Sequence, residues 1–158
     1  MSTETVEIRK VSRLPLAVMR ERATLKDIGA KISALLPEVY RFLDRSTVKQ
    51  SGHNIVVYLD QGDQALITTK DGVPIEVGVQ VNEEFASDGP VVCSFTPAGS
   101  VAAIEHRGPY QNLPQAHAAV RRWCADHGRP IAGPNWEIYG DWTEDVTQLR
   151  TDVLYLLK

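Results

Sequence analysis

The sequence carries one pattern twice. Ala17-Val18-Met19-Arg20-Glu21-Arg22 lines up with Ala102-Ala103-Ile104-Glu105-His106-Arg107. A helical stripe containing Ile28 lines up with one containing Leu113. Val56-Val57-Tyr58 matches Glu137-Ile138-Tyr139, and Ile75-Glu76-Val77-Gly78-Val79 matches Thr151-Asp152-Val153-Leu154-Tyr155. Self-similarity on this scale constrains a chain strongly, because each unit must bury its apolar face against its copy. The expected class is α+β, with two βαββ units in antiparallel sheets about a pseudo-two-fold axis. Repeat one spans about 6–81 and repeat two about 91–157, within a single domain over 1–158. Two helices cover a central ligand cleft; the sheet faces opposite the helices are expected to line it.

Local patterns supply the elements. Val6, Ile8 and Val11 alternate with charged residues, and Leu16 and Val18 resume the alternation after Arg13-Leu14-Pro15. Thr24 and Asp27 are spaced like a capping box. Ile28, Ile32, Leu35, Val39 and Phe42 then follow at helical steps, with Pro37 expected to kink the helix. Ile55 to Leu59 and Pro74 to Val81 read as strands, separated by a polar stretch with a short apolar piece at Ala65-Leu66-Ile67. Val91 to Phe95 and Ser100 to His106 follow. Asn112 can cap a second helix with Pro114 in its first turn, and Leu113, Ala116, Val120, Trp123 and His127 are its expected buried stripe. Gly128 stops it. Asn135 to Gly140 and Thr151 to Leu157 are the last strands.

Composition narrows the partners. The 158 residues hold 20 acidic side chains against 17 Lys and Arg, a net charge of −3. A protein that coats nucleic acid or anionic lipid draws binding energy from a basic excess, so neither nucleic-acid nor membrane binding is expected. No apolar run approaches a membrane span, and no secretory leader is legible, which points to the cytoplasm. Cys93 and Cys124 form no C-x-x-C, and reduced thiols are the simplest reading. His53, His106, His117 and His127 lack metal-ligand spacing, and there is no nucleophile elbow, phosphate loop or dinucleotide fingerprint. No metal and no cofactor is expected. Arg121-Arg122 read as helix C-terminal charge, and Glu105-His106-Arg107 as a solvated strand edge.

The two halves differ most pointedly where Val56 in the first stands opposite Glu137 in the second. Glu137 and Tyr139 share one strand face, and Trp136 and Ile138 the other. With Trp136 and Ile138 under the helix, Glu137 and Tyr139 would line the groove. A carboxylate there is a counter-ion for a cation or a general acid or base. The plainer alternative is a wet sheet face. Tyr58, Tyr110, Tyr139 and Tyr155 can wall the site by stacking and cation–π contact, or simply pack in the core. Val56 and Trp136 complete the candidate ligand-binding set, although Trp136 also suits the core. Trp142 could be a lid or an exposed contact.

The elements His106-Arg107-Gly108-Pro109-Tyr110, Trp123, Gly133-Pro134-Asn135-Trp136-Glu137-Ile138-Tyr139-Gly140 and Thr151-Asp152-Val153-Leu154-Tyr155 resemble the GyrI-like small-molecule-binding family. That family includes the effector-binding domains of bacterial AraC- and MerR-type multidrug-responsive regulators. The resemblance covers Glu7 to Leu157. It implies a bacterial cytosolic protein with a duplicated βαββ fold and a cleft glutamate, here Glu137, that meets cationic or amphipathic ligands. Tyr110 and Tyr155 match positions of aromatic wall. No attached DNA-binding module is legible, so direct transcriptional activation is not expected. The first expectation is a stand-alone binder of flat, apolar or cationic compounds. A second, implied by some stand-alone relatives, is hydrolysis of cyclopropanoid electrophiles, with Glu137 directing water and Tyr110 polarising the ring's carbonyl. A third is an interaction module for gyrase or a separate regulator, with the acidic loop Asp141 to Asp145 as the contact surface.

Overall fold

The structure is a computed structural model that describes residues 5–59, 70–87 and 89–158. The apolar piece Ala65-Leu66-Ile67 lies outside the described residues. Eight strands form one antiparallel sheet: β1 (Glu7–Val11), β2 (Pro15–Ala23), β3 (Gln50–Tyr58), β4 (Val73–Val81), β5 (Val92–Phe95), β6 (Gly99–Arg107), β7 (Ile131–Tyr139) and β8 (Arg150–Leu157). Helices α1 (Ile28–Asp44) and α2 (Leu113–Asp126) pack on it. No helix among the described residues is long and apolar enough to cross a membrane.

The strand order is β1-β6-β8-β7-β3-β4-β2-β5, so the halves join through β3 and β7 into one continuous sheet rather than two. Ala17 pairs with Val79, and their counterparts Ala102 and Tyr155 also pair. Val56 pairs with Val77, and Glu137 with Val153. Val56 and Glu137 pair with each other at the central seam, so this correspondence maps that pair onto itself. The valine and the glutamate therefore sit side by side at the middle of the sheet.

Both faces of the sheet are buried, for different reasons. One face lies under the helices: Ala102, Ile104, Val153 and Tyr155 pack with α2, and Ala17, Val79 and Val81 with the C-terminal half of α1. The other face buries Leu16, Val18, Ile55, Val57, Val101, Ala103, Trp136 and Leu154 in a cluster that contains no helix residue. Among the described residues no helix covers it, and the strands that meet in this cluster curve around it. Close strand approach makes that possible: a Cβ at Gly78 would lie 1.8 Å from the Ala17 carbonyl oxygen.

α1 runs unbroken through Pro37. Thr24 and Asp27 exchange hydrogen bonds at its start: the Thr24 N–H donates to Asp27 Oδ1 at 2.7 Å, and the Asp27 N–H to Thr24 Oγ1 at 3.4 Å. The expected side-chain cap from Asn112 is absent. A 3-10 turn, Tyr110–Asn112, leads into α2 instead. Its buried stripe is Leu113, Ala116, His117, Val120 and Cys124, with Trp123 partly buried against the same cluster. His127 is exposed instead of buried and stacks on Trp123 at 4.1 Å. His106, expected at a solvated edge, is buried and faces the Pro109 carbonyl at 3.2 Å.

Candidate functional site

The cleft opens on the helix side of the sheet, which reverses the expected geometry. Glu137 and Tyr139 point toward the helices, while Trp136 faces the curled back and Ile138 packs at its margin. The physical reason is the curl. The back face closes on itself and has no room to spare, whereas α1 and α2 leave a gap over the central seam. The gap is a cleft of about 310 Å³. Its floor is Tyr58, Glu137 and Tyr139 from β3 and β7; Ile28, Gly29 and Ile32 of α1 form one wall, and Leu113, Pro114, His117 and Arg121 of α2 the other. This explains why the apolar N-terminal half of α1 stays only partly buried: its isoleucines face the cleft.

Glu137 is 3% exposed and fully engaged. Its Oε1 accepts from the Tyr58 hydroxyl at 3.0 Å and the Tyr139 hydroxyl at 2.6 Å. Its Oε2 lies 2.7 Å from His117 Nε2. His117 Nδ1 lies 2.6 Å from the Tyr155 hydroxyl, which also accepts from the Arg121 guanidinium at 3.1 Å. Arginine can only donate and an ionised carboxylate can only accept. Arg121 therefore donates to Tyr155, Tyr58 and Tyr139 donate to Glu137, and His117 bridges Tyr155 and Glu137.

These bonds decide the charge. Burial alone pushes the Glu137 carboxyl up. The hydrogen bond and field of His117, followed by the Tyr139 and Tyr58 hydroxyls, outweigh burial and hold it below the ordinary glutamate value. It is therefore a carboxylate at neutral pH. Burial, with the Glu137 charge added, keeps Tyr58 and Tyr139 well above the ordinary tyrosine value. Burial likewise pushes Tyr155 up to about 12. All three stay protonated donors.

The structure brings part of the expected set together. Tyr58, Glu137 and Tyr139 meet directly, and Tyr155 joins them through His117 without lining the cleft. Tyr110 stands at the mouth, 40% exposed, edge-on to Tyr139 at 5.6 Å. Val56 is packed beneath α1 beside Tyr58 and does not line the cleft. Trp136 is core on the far face, so its place as ligand wall is corrected. Trp142 is 70% exposed and edges a separate depression with Ile138, Arg107 and Arg150, so it is no lid over the cleft. In the acidic loop Asp141 lies 3.1 Å from His53, and Asp145 accepts from the Thr147 N–H at 3.1 Å. His117 and Arg121 were missed as site residues. Their signal was spacing: His117 is four residues after Leu113 and three before Val120, on the buried stripe, and Arg121 is one turn further.

The sequence profile of the GyrI-like family, described as a small molecule binding domain, matches residues 4–158. No curated protein matches the chain. Among solved structures, the EcmrR C-terminal domain is similar over 99% of both chains, with TM-score 0.85 and 16% identity. SAV2435 bound to tetraphenylphosphonium is similar over 98% of this chain and 94% of that one, with TM-score 0.72 and 12% identity. A hydrolase from Listeria innocua is similar over 97% and 91%, with TM-score 0.58 and 10% identity. At such identities these likenesses are of fold.

Proposed function

We propose a ligand class for this cleft on one premise: the chain belongs to the GyrI-like small-molecule-binding family. The cleft takes flat, largely apolar molecules that present a positive charge or strong hydrogen-bond donors to Glu137. The observation that carries this reading is an ionised, buried carboxylate at the floor of an apolar, tyrosine-lined gap. Apolar walls supply most of the binding energy, and the carboxylate sets orientation and charge preference. Tyr58 and Tyr139 hold Oε1 and offer ring faces to a cation. The neighbouring fold that holds tetraphenylphosphonium, a lipophilic cation, supports the apolar and cationic part of this class, although that ion is tetrahedral rather than flat.

The test is calorimetric titration of a panel of lipophilic cations against wild type and Glu137→Gln. Glutamine keeps the shape and removes the charge. A charged hydrogen bond contributes about 1.5–3 kcal/mol, so cation affinity should fall by roughly tenfold or more. Equal affinities for both proteins would remove Glu137 from binding.

Hydrolysis of a strained electrophilic ring is a second reading, favoured by the directed His117–Glu137 contact. Glu137 would take a proton from water as the water oxygen bonds to a ring carbon; the strained C–C bond breaks onto the conjugated carbonyl, and the enolate so formed takes that proton back from Glu137. Tyr58 and Tyr139, rather than Tyr110, hold hydroxyls against Glu137. Mass spectrometry of cyclopropane-bearing alkylators incubated with the protein decides it: a water adduct formed no faster than in buffer would sink this reading.

A further inference from the structure

Arg121 differs from the other arginines in its place at the cleft. Arg9, Arg13, Arg20, Arg41, Arg107 and Arg150 each hold a carboxylate. Arg121 lines the cleft, yet meets no carboxylate among the described residues. Its one hydrogen-bond partner there is the neutral Tyr155 hydroxyl. That bond anchors the guanidinium without neutralising it, and it occupies one of five N–H donors. Arg121 lies one turn beyond His117, about 6 Å further along α2. One apolar cleft thus carries two opposite charges, Glu137 and Arg121, that do not pair with each other. A simple cation satisfies the first and is repelled by the second.

We infer that Arg121 is a specificity-determining residue, and that the preferred ligand is amphoteric: an aromatic body with a cationic group for Glu137 and a carboxylate or similar acceptor for Arg121. A planar guanidinium with free donors suits a carboxylate in a two-point contact. The two ligand groups must reach from the Glu137 carboxylate to the Arg121 guanidinium, which stand at opposite ends of the His117–Tyr155 bridge. This inference rests on the cleft reading above and goes beyond it by naming a second recognition point.

Three probes sharing a naphthalene body test it: the naphthylmethylammonium ion, the same ion bearing a carboxylate on the far ring, and the naphthalene carboxylate alone. Each is titrated by calorimetry against wild type, Arg121→Gln, Arg121→Lys and Glu137→Gln, with thermal unfolding to confirm folding. The amphoteric probe should bind wild type roughly tenfold tighter than the plain cation, as expected for one charged hydrogen-bonded contact. Arg121→Gln should abolish that advantage while leaving the plain cation bound equally or better. Arg121→Lys, which keeps the charge but loses the fork, should retain part of it. An advantage that is absent in wild type, or that persists in Arg121→Gln, overturns the inference. If the plain cation then still binds in a Glu137-dependent way, the cleft reading stands alone. If no probe responds to either residue, both readings fail.

Discussion

Replacing Tyr139 with phenylalanine tests whether the hydroxyl bonds hold Glu137 ionised. The change removes one oxygen and keeps the ring against Tyr110. The lost bond is short, 2.6 Å, and its acceptor is a buried carboxylate. A hydrogen bond to a charged group contributes about 1.5–3 kcal/mol. Taking about 2 kcal/mol, and about 2–4 °C per kcal/mol for a chain of this size, Tm should fall by about 4–8 °C near neutral pH. The loss also has a pH signature. The folded Glu137 carboxyl lies below its ordinary value of 4.5, so its contribution to stability is full above that value. It is lost as pH falls through the folded value. Tyr139→Phe raises the folded carboxyl, so the gap to wild type should be full at neutral pH and close on acidification. Urea unfolding of both proteins from neutral pH to about pH 3 reads this out. In a Glu137→Leu background the same substitution should cost almost nothing, because the acceptor is gone. An equal cost in both backgrounds, or a gap that does not change with pH, would refute the reasoning.

Other positions separate cleft from scaffold. Gly29 has open space where a Cβ would stand, so Gly29→Leu should fill the gap between the helices. Titration with a lipophilic cation should show affinity down at least about tenfold, with thermal stability unchanged or raised by up to about 1 kcal/mol; unchanged affinity would place the ligand elsewhere. Gly78→Ala drives a methyl into the Ala17 carbonyl. Denaturant unfolding should show a loss of about 4 kcal/mol or more, or no soluble protein, and a loss below about 1 kcal/mol would contradict the close approach of β2 and β4. Trp136→Leu should destabilise by less than the roughly 3–5 kcal/mol of full truncation and leave ligand affinity unchanged in the folded protein; weakened binding would return Trp136 to the site.

The α+β class and both helices were legible because apolar spacing records which face an element buries. Glu137 was legible because the repeat put it opposite a valine. The side on which the cleft lies was not. Period-two alternation assigns Glu137 and Trp136 to opposite faces, but it does not say which face meets a helix. Here the back face needs no helix among the described residues, because its apolar side chains pack on one another. His117 and Arg121 were overlooked because a histidine on an apolar stripe and an arginine late in a helix both have ordinary explanations. Only the packing of α2 over β6 and β8, from which His117 reaches Tyr155 and Glu137 and Arg121 reaches Tyr155, gives them partners.

If ligand sits in the gap between α1 and α2, floored by Glu137, a crystal structure of the protein with tetraphenylphosphonium will show it there. The phosphonium should lie between the helices, over the Glu137 carboxylate and beside the rings of Tyr58 and Tyr139. A cation bound instead at the depression beside Trp142, with the helix gap empty, would contradict that placement.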